Sequence, residues 1–348
     1  MMALYTDANE LNDAARVLQS TFGAGKQPPT TSVILEELPV PGCSLEIDMI
    51  GLAPESGHMI ETLRPASIPA PVPAGLDGQP LFRYGTKAGP WIFTAGLTAT
   101  DYSEGLAKEA RINTAFPYYG EAGRLQTEYI LKNLQTILAE GGASMADVVK
   151  AEVFLTDLND FYGMEQVWKK YFPKDPPART TVPVRDLGVP GLKVSINLIA
   201  FVLQGKQRRR TIETDKAPKP RSHEPQAVQA GPYLFLSNQF ATDYRSGVAA
   251  EARVDPEFPY YESVAEKEVS FMARNIEAIC NAAGTSGENL VRRRAFEATF
   301  DQFLTSFLTW GRFFPTPPAS TTVRVRGPLL VSGCKRMLDI VALVPDEA

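Results

Sequence analysis

Internal repetition constrains this chain more than any other feature. Ala99-Thr100-Asp101-Tyr102 returns as Ala241-Thr242-Asp243-Tyr244, an offset of 142 residues. Glu109-Ala110-Arg111 and Phe116-Pro117-Tyr118-Tyr119 return at the same offset as Glu251-Ala252-Arg253 and Phe258-Pro259-Tyr260-Tyr261. Pro177-Ala178-Arg179-Thr180-Thr181-Val182 returns 141 residues on as Pro318-Ala319-Ser320-Thr321-Thr322-Val323, one loop residue having been lost. A partial third copy stands in front. Thr6 to Leu11 matches Thr156 to Phe161, and Pro28 to Val33 matches Pro177 to Val182. The chain therefore opens inside a repeat unit: half a copy, then two whole ones. That fits its 348 residues, which at roughly 150 residues per domain make about 2.3 domains. The expected division is 1–55 as a partial domain, 56–79 as linker, 80–203 as a domain, 204–225 as linker and 226–346 as a domain. A half unit is expected either to be completed by another chain or to leave an exposed sheet edge.

One repeat reads as follows. Trp91 to Ala95 is β-rich after Gly89-Pro90 and predicts a strand. Residues 122–141 carry Leu125, Tyr129, Ile130, Leu134 and Ile137-Leu138 before Gly141-Gly142, an amphipathic helix with a glycine stop. Lys150 to Leu155 predicts a strand, and Met164 to Phe172 a second helix closed by Pro173. Thr180 to Val184 and Leu192 to Phe201 predict strands around a Gly/Pro turn. In the last strand Val194, Ile196, Leu198 and Ala200 alternate with Ser195, Asn197 and Ile199. Together these imply an α+β layer with two helices on one sheet face. A neighbouring copy can cover the other face.

The scarce residues exclude much. His58 and His223, the two histidines, lie in Pro- or Ser-rich linkers, where a triad or zinc site lacks a rigid support. Cys43, Cys280 and Cys334 have no CxxC spacing, and their low, odd number fits a reducing compartment. Cys280 reads as core packing. Phe22 to Gln27 is no phosphate loop, since Ser20 replaces the first glycine and Gln27 the Ser/Thr. Arg208–Arg210 and Arg292–Arg294 read as solvated faces. Thirty-five basic against 40 acidic residues give a net charge of −5, which opposes nucleic acid as a partner. The longest apolar run, Ile196 to Leu203 broken by Asn197, is too short to span a bilayer, and no secretory leader is visible. A cytoplasmic protein without metal or cofactor is expected.

Several motifs resemble the RidA/YjgF family of enamine/imine deaminases. They are Thr94-Ala95-Gly96, the helix before Gly142, Phe154-Leu155-Thr156-Asp157-Leu158-Asn159-Asp160-Phe161, Pro177-Ala178-Arg179 and the strand ending at Ala200. The resemblance covers residues 80–203, 226–344 and, as a half domain, 2–53. It implies chorismate-mutase-like domains in a pseudo-trimeric arrangement, with sites in clefts between neighbouring domains. Three copies could form this trimer within one chain, or a homo-oligomer could complete the half domain. The arginine that grips a substrate carboxylate in the family falls on Arg179, with Thr30 and Ser320 as its counterparts. The C-terminal copy is therefore expected to be degenerate. The family's last-strand glutamate falls on Ser195 and Met337 but survives as Glu46. Its tyrosine near the first strand falls on Phe82, with Tyr84 two residues on, and its cysteine falls on Thr181.

The candidate substrate-binding residues are Arg179, Thr180, Phe82, Tyr84, Ala95 and Gly96, and the candidate catalytic residues are Glu46 and Thr181. A guanidinium at a strand start can hold a small carboxylate substrate bidentately. Glu46 is a general base if its strand lines the same cleft. Tyr118, Tyr119, Tyr260 and Tyr261 are expected as wall or interface residues. Enamine hydrolysis asks little beyond an oriented water and a held carboxylate. The resulting expectation is a C–N hydrolase that releases ammonia from a small carboxylated enamine, imine or related compound. Two alternatives stand beside it: a hydrolase of nitrogen-heterocycle or aromatic-amine catabolism, and a non-catalytic binder of small acids.

Overall fold

The computed structural model describes residues 1–23, 26–53, 56–69, 82–203 and 209–345. Ala24 and Gly25 of the excluded phosphate loop, Arg208, part of both linkers, residues 80–81 and residue 346 lie outside them. The chain divides into two compact units, Met1–Lys174 with Val184–Gly205, and Asp175–Pro183 with Lys206–Ala348.

The half copy contributes β1 (Met2–Tyr5), α1 (Leu11–Phe22), β2 (Thr31–Ile34) and β3 (Leu45–Asp48). They form a three-stranded sheet in the order β2-β1-β3, parallel between β1 and β2 and antiparallel between β1 and β3. The middle copy follows with β4 (Ile60–Leu63), β5 (Gly85–Ala88), β6 (Trp91–Thr94), β7 (Leu97–Thr98), α2 (Ala122–Glu140), β8 (Val148–Leu155), α3 (Phe161–Tyr171), β9 (Ala178–Pro183) and β10 (Val194–Phe201). Within the first unit its strands run β4-β5-β6-β10-β8, with β7 also on β10; β9 belongs to the second unit. The C-terminal copy repeats the plan: β11 (Arg209–Ile212), β12 (Ala227–Ala230), β13 (Tyr233–Leu236), β14 (Gln239–Phe240), α4 (Val264–Ala283), β15 (Leu290–Glu297), α5 (Phe303–Phe313), β16 (Ala319–Arg324) and β17 (Arg336–Leu343). Its sheet runs β11-β12-β13-β17-β15-β16, with β14 on β17.

Local chemistry sets these elements. In α2 the buried stripe Ile130, Leu131, Leu134, Ile137 and Leu138 recurs at helical spacing. The helix stops at Gly141-Gly142, where Gly142 takes φ +77°. The Asp7 and Asp157 side chains accept from Asn9 N and Asn159 N, starting equivalent 3-10 turns before α1 and α3. Asp160 Oδ1 accepts from Gly123 N at 3.0 Å and ties α3 to the first turn of α2. Cys280 is buried in α4, as expected of core packing.

The sheet face left for a neighbouring copy is closed, since β10 and β8 are buried along their whole length. The half copy covers that face: Asn197 Nδ2 donates to Thr31 Oγ1 and to Glu152 Oε2, each at 2.9 Å. Contrary to the expectation of a solvated face, Arg292–Arg294 are largely buried. They lie on β15 with Arg294 opposite Asp339 in register, and Arg292 Nη2 donates to Asp339 Oδ2 at 2.8 Å. Arg293 stacks over Trp310, 4.9 Å from the ring centroid. An opposing carboxylate and an aromatic face make this burial tolerable. Tyr118, Tyr119, Tyr260 and Tyr261, expected as wall or interface residues, are all at least 88 % exposed.

Candidate functional site

Arg179 is the second residue of β9. It is fully buried, and its Nε donates to Glu224 Oε2 at 2.7 Å. The Glu224 side chain is itself only 2 % exposed. Ser222 Oγ donates to the other carboxylate oxygen at 2.9 Å. Main-chain bonds fix the arginine's position: Arg179 N donates to Ser237 Oγ, and Arg179 O accepts from Asn238 N, both at 3.0 Å. One residue on, Thr180 Oγ1 donates to Asp339 Oδ1 at 2.8 Å. Thr181 N donates to Asn238 Oδ1 at 3.1 Å. Two buried atoms beside these, Thr181 Oγ1 and Asn238 Nδ2, make no hydrogen bond among the described residues. Asn238 also lines a cavity of about 10 Å³ with Gln226, Gln239, Thr242 and Tyr244, roughly the room one water needs. Burial first, and then the neighbouring charge of Glu224, raise the pKa of the Tyr244 phenol far above its ordinary range.

The arrangement is a buried ion pair in which the Arg179 guanidinium holds the Glu224 carboxylate. Its partners follow the repeat. An offset of 142 carries Phe82 to Glu224, Ala95 to Ser237 and Gly96 to Asn238. Glu224, Ser237 and Asn238 were thus missed as site residues, although the repeat offset could have located them.

Phe82, Tyr84, Ala95, Gly96 and Glu46 lie in the first unit. The Phe82 ring meets Tyr84 and Tyr102 edge-on, each at 6.3 Å between centroids. Tyr84 is buried, and that burial raises its phenol pKa strongly. Ala95 N donates to Tyr84 O at 2.8 Å, and Gly96 N to Thr30 O at 3.3 Å. The last contact is the counterpart of Asn238 N on Arg179 O, so the same backbone joint recurs with threonine in place of the arginine. A Cβ on Gly96 would lie 2.5 Å from Thr31 Cγ2. Gly96→Ala is therefore expected to cost about 1–3 kcal/mol, read as a lower urea midpoint at unchanged m-value. Glu46 is half-buried on β3, opposite Leu4 of β1; it is a member of a different unit from Arg179.

The second unit also buries charge away from Arg179. Arg336 Nη1 lies 3.6 Å from Glu268 Oε2, and its Nε 3.6 Å from Glu297 Oε2. Burial pushes the Glu268 carboxyl up to about 7, against the opposing pull of Lys335 N and Arg336. The unfolded carboxyl ionises near 4.5, so stability from this group is full below that pH and declines as pH rises toward 7. Glu268→Gln should therefore gain about 1–3 kcal/mol relative to the parent chain between pH 5 and pH 8, measured by urea unfolding at both values.

Among the described residues no group of His, Cys, Asp and Glu is arranged to hold a metal. No helix among them is long and apolar enough to cross a membrane.

A family model described as endoribonuclease L-PSP matches residues 79–202. A RutC family protein of Pyrococcus abyssi is 37 % identical over 118 residues, 34 % of this chain and 80 % of that protein. A second, from Pyrococcus horikoshii, is 34 % identical over 132 residues, 38 % of this chain and 91 % of that protein. The chain belongs to the RidA/YjgF (RutC) family. The chloroplastic Reactive Intermediate Deaminase A of Arabidopsis thaliana is another RidA/YjgF relative, 40 % identical over 83 residues, 24 % of this chain and 44 % of that protein. Among solved structures, a putative endoribonuclease from Thermotoga maritima aligns at 26 % identity over 40 % of this chain and 98 % of its own, with a TM-score of 0.33. The E. coli YjgF gene product aligns at 24 % over 39 % and 99 %, with a TM-score of 0.33. Of the copies in this chain, the middle one carries the Pro-Ala-Arg segment, at 177–179.

Proposed function

We propose that the chain hydrolyses the C–N bond of a small enamine- or imine-bearing acid at the Arg179 cleft of the second unit, releasing ammonia. The observation that carries this reading is the buried bond from Arg179 Nε to Glu224 Oε2 at 2.7 Å. A guanidinium that holds one carboxylate in a dry pocket has the chemistry to hold another. The kinship with a reactive intermediate deaminase supplies the reaction class. The acid's carboxylate exchanges with Glu224 on Arg179. The enamine tautomerises to the imine, water adds at the imine carbon, and the carbinolamine expels ammonia to leave a carbonyl. Thr181 Oγ1 and Asn238 Nδ2, buried and without partners among the described residues, orient the water. Positioning suffices because such substrates already react in water. The groups involved all belong to the second unit, and Glu46 has no part. A nucleic-acid role is not expected, since the net charge of −5 opposes phosphate binding.

One observation favours a second reading. Glu224 seals the guanidinium, with 2 % of its side chain exposed, as it would in a non-catalytic protein whose arginine is structural. Ammonia release from freshly generated 2-aminoacrylate separates the two. The catalytic reading expects turnover that Arg179→Met reduces at least 100-fold. Equal rates for the two proteins, or none from either and none from Glu224→Ala, would leave the structural reading.

A further inference from the structure

The second unit carries an open groove of about 1110 Å³. It adjoins the small cavity beside Asn238, because Pro218, Tyr244 and Asn275 line both. Asn238 N donates to Arg179 O, and the charge of Glu224 acts on the Tyr244 phenol. The shared wall therefore stands next to the Arg179–Glu224 pair. The chain runs the same way. Arg221 lines the groove, Ser222 Oγ donates to Glu224, and Glu224 accepts from Arg179. Three residues of extended chain reach about 10 Å at most, so groove and ion pair lie within the span of one small molecule.

Charge sets the groove apart. Five cationic and three acidic side chains line it, in a chain whose net charge is −5. The acids are committed. Asp215 holds Lys219 at 3.0 Å, and Glu251 holds Arg274 at 3.5 Å. Asp243 Oδ1 accepts from Arg245 N and Ser246 N, each at 2.8 Å. The other three cations, Lys216, Arg221 and Arg245, are exposed, and among the described residues their side chains enter no ion pair. Two of them are particular to this copy: the step of 142 leads from Arg221 back to Gln79 and from Arg245 back to Ser103, both uncharged. A concave surface with a local excess of positive charge concentrates small anions. Guanidinium groups match the oxygens of carboxylate and phosphoryl groups.

We propose that this groove is an anion-binding subsite, in which Arg221 and Arg245, assisted by Lys216, hold an acidic group of a small molecule. Its pairing with Arg179 rests on the function proposed above. On that reading the substrate carries two acidic groups, one exchanging with Glu224 on Arg179 and the other, carboxylate or phosphoryl, seated in the groove. The groove then selects such acids over a compound with one carboxylate.

Calorimetric titration of a matched pair of acids tests this. 2-Oxoglutarate and 2-oxopentanoate have the same carbon chain and differ in the terminal carboxylate. The parent chain is expected to bind 2-oxoglutarate at least 10-fold more tightly, and Arg221→Ala/Arg245→Ala to bind the two within 2-fold of each other. Both substituted side chains are exposed, so the urea midpoint should not move. 3-Phosphoglycerate identifies the second group: tighter binding than 2-oxoglutarate, lost in the same double variant, marks it as phosphoryl, and weaker binding marks it as carboxylate. Equal affinity of the parent chain for the matched pair overturns the subsite. So does a preference that survives in the double variant, or no binding of 2-oxoglutarate to either the parent chain or Glu224→Ala. Arg179→Met separates the two proposals. If it leaves 2-oxoglutarate binding intact while the groove variant abolishes it, the subsite stands and the assignment of Arg179 fails.

Discussion

Arg179→Met is expected to lower the unfolding free energy by about 3–5 kcal/mol, the cost of stranding a buried charge by removing its partner. Glu224 is the group stranded: its carboxylate keeps the Ser222 hydroxyl but loses the guanidinium. The loss should be mostly recovered in Arg179→Met/Glu224→Leu, since replacing both charges with apolar groups removes the desolvation penalty along with the attraction. Guanidinium unfolding of the two singles and the double closes this cycle. A loss below 1 kcal/mol in Arg179→Met would mean that the pair is solvated in solution and that the pocket is not closed as described.

The second large effect concerns activity. Glu224→Ala is expected to raise kcat/KM for a small carboxylated enamine by at least 10-fold, because the substrate no longer has to displace a tethered competitor. A carboxylate held in cis competes at an effective concentration set by its tether, which for short connections is in the millimolar range or above. The same substitution leaves Arg179 buried without its acid, so the variant is less stable in plain buffer. Added small acids should restore stability by mass action, about 2.7 kcal/mol at 100 times Kd. Arg179→Met/Glu224→Ala should show neither the gain in rate nor the rescue by acid.

These expectations rest on a contact that the sequence encodes but does not display. The copies, the strand at 91–94, the helix at 122–140 and the strand pair around the Gly/Pro turn were all legible from repeat spacing and hydrophobic period. Arg179 was legible as a candidate from Pro177-Ala178-Arg179. Its partner was not, because Glu224 lies 45 residues away in the following copy. Glu224 carries no motif of its own; only the step of 142 from Phe82 points to it. The buried polar residues of β10 also find a partner far along the chain: Asn197 donates to Thr31, 166 residues distant. Arg292–Arg294 looked like a solvated run because a charge run is read locally, while Asp339, which neutralises it, comes from a neighbouring strand. In each case the missing information is a long-range partner, and the local pattern misleads where charge or polarity is satisfied inside the protein.

The central claim is that Arg179 is a carboxylate site occupied by Glu224. The most direct test is calorimetric titration of 2-oxobutyrate into the parent chain, Glu224→Ala and Arg179→Met/Glu224→Ala. One-site binding to Glu224→Ala is expected to be at least 10-fold tighter than to the parent chain, with no binding to the double variant. Equal affinity in all three proteins, or no binding to Glu224→Ala, would contradict it.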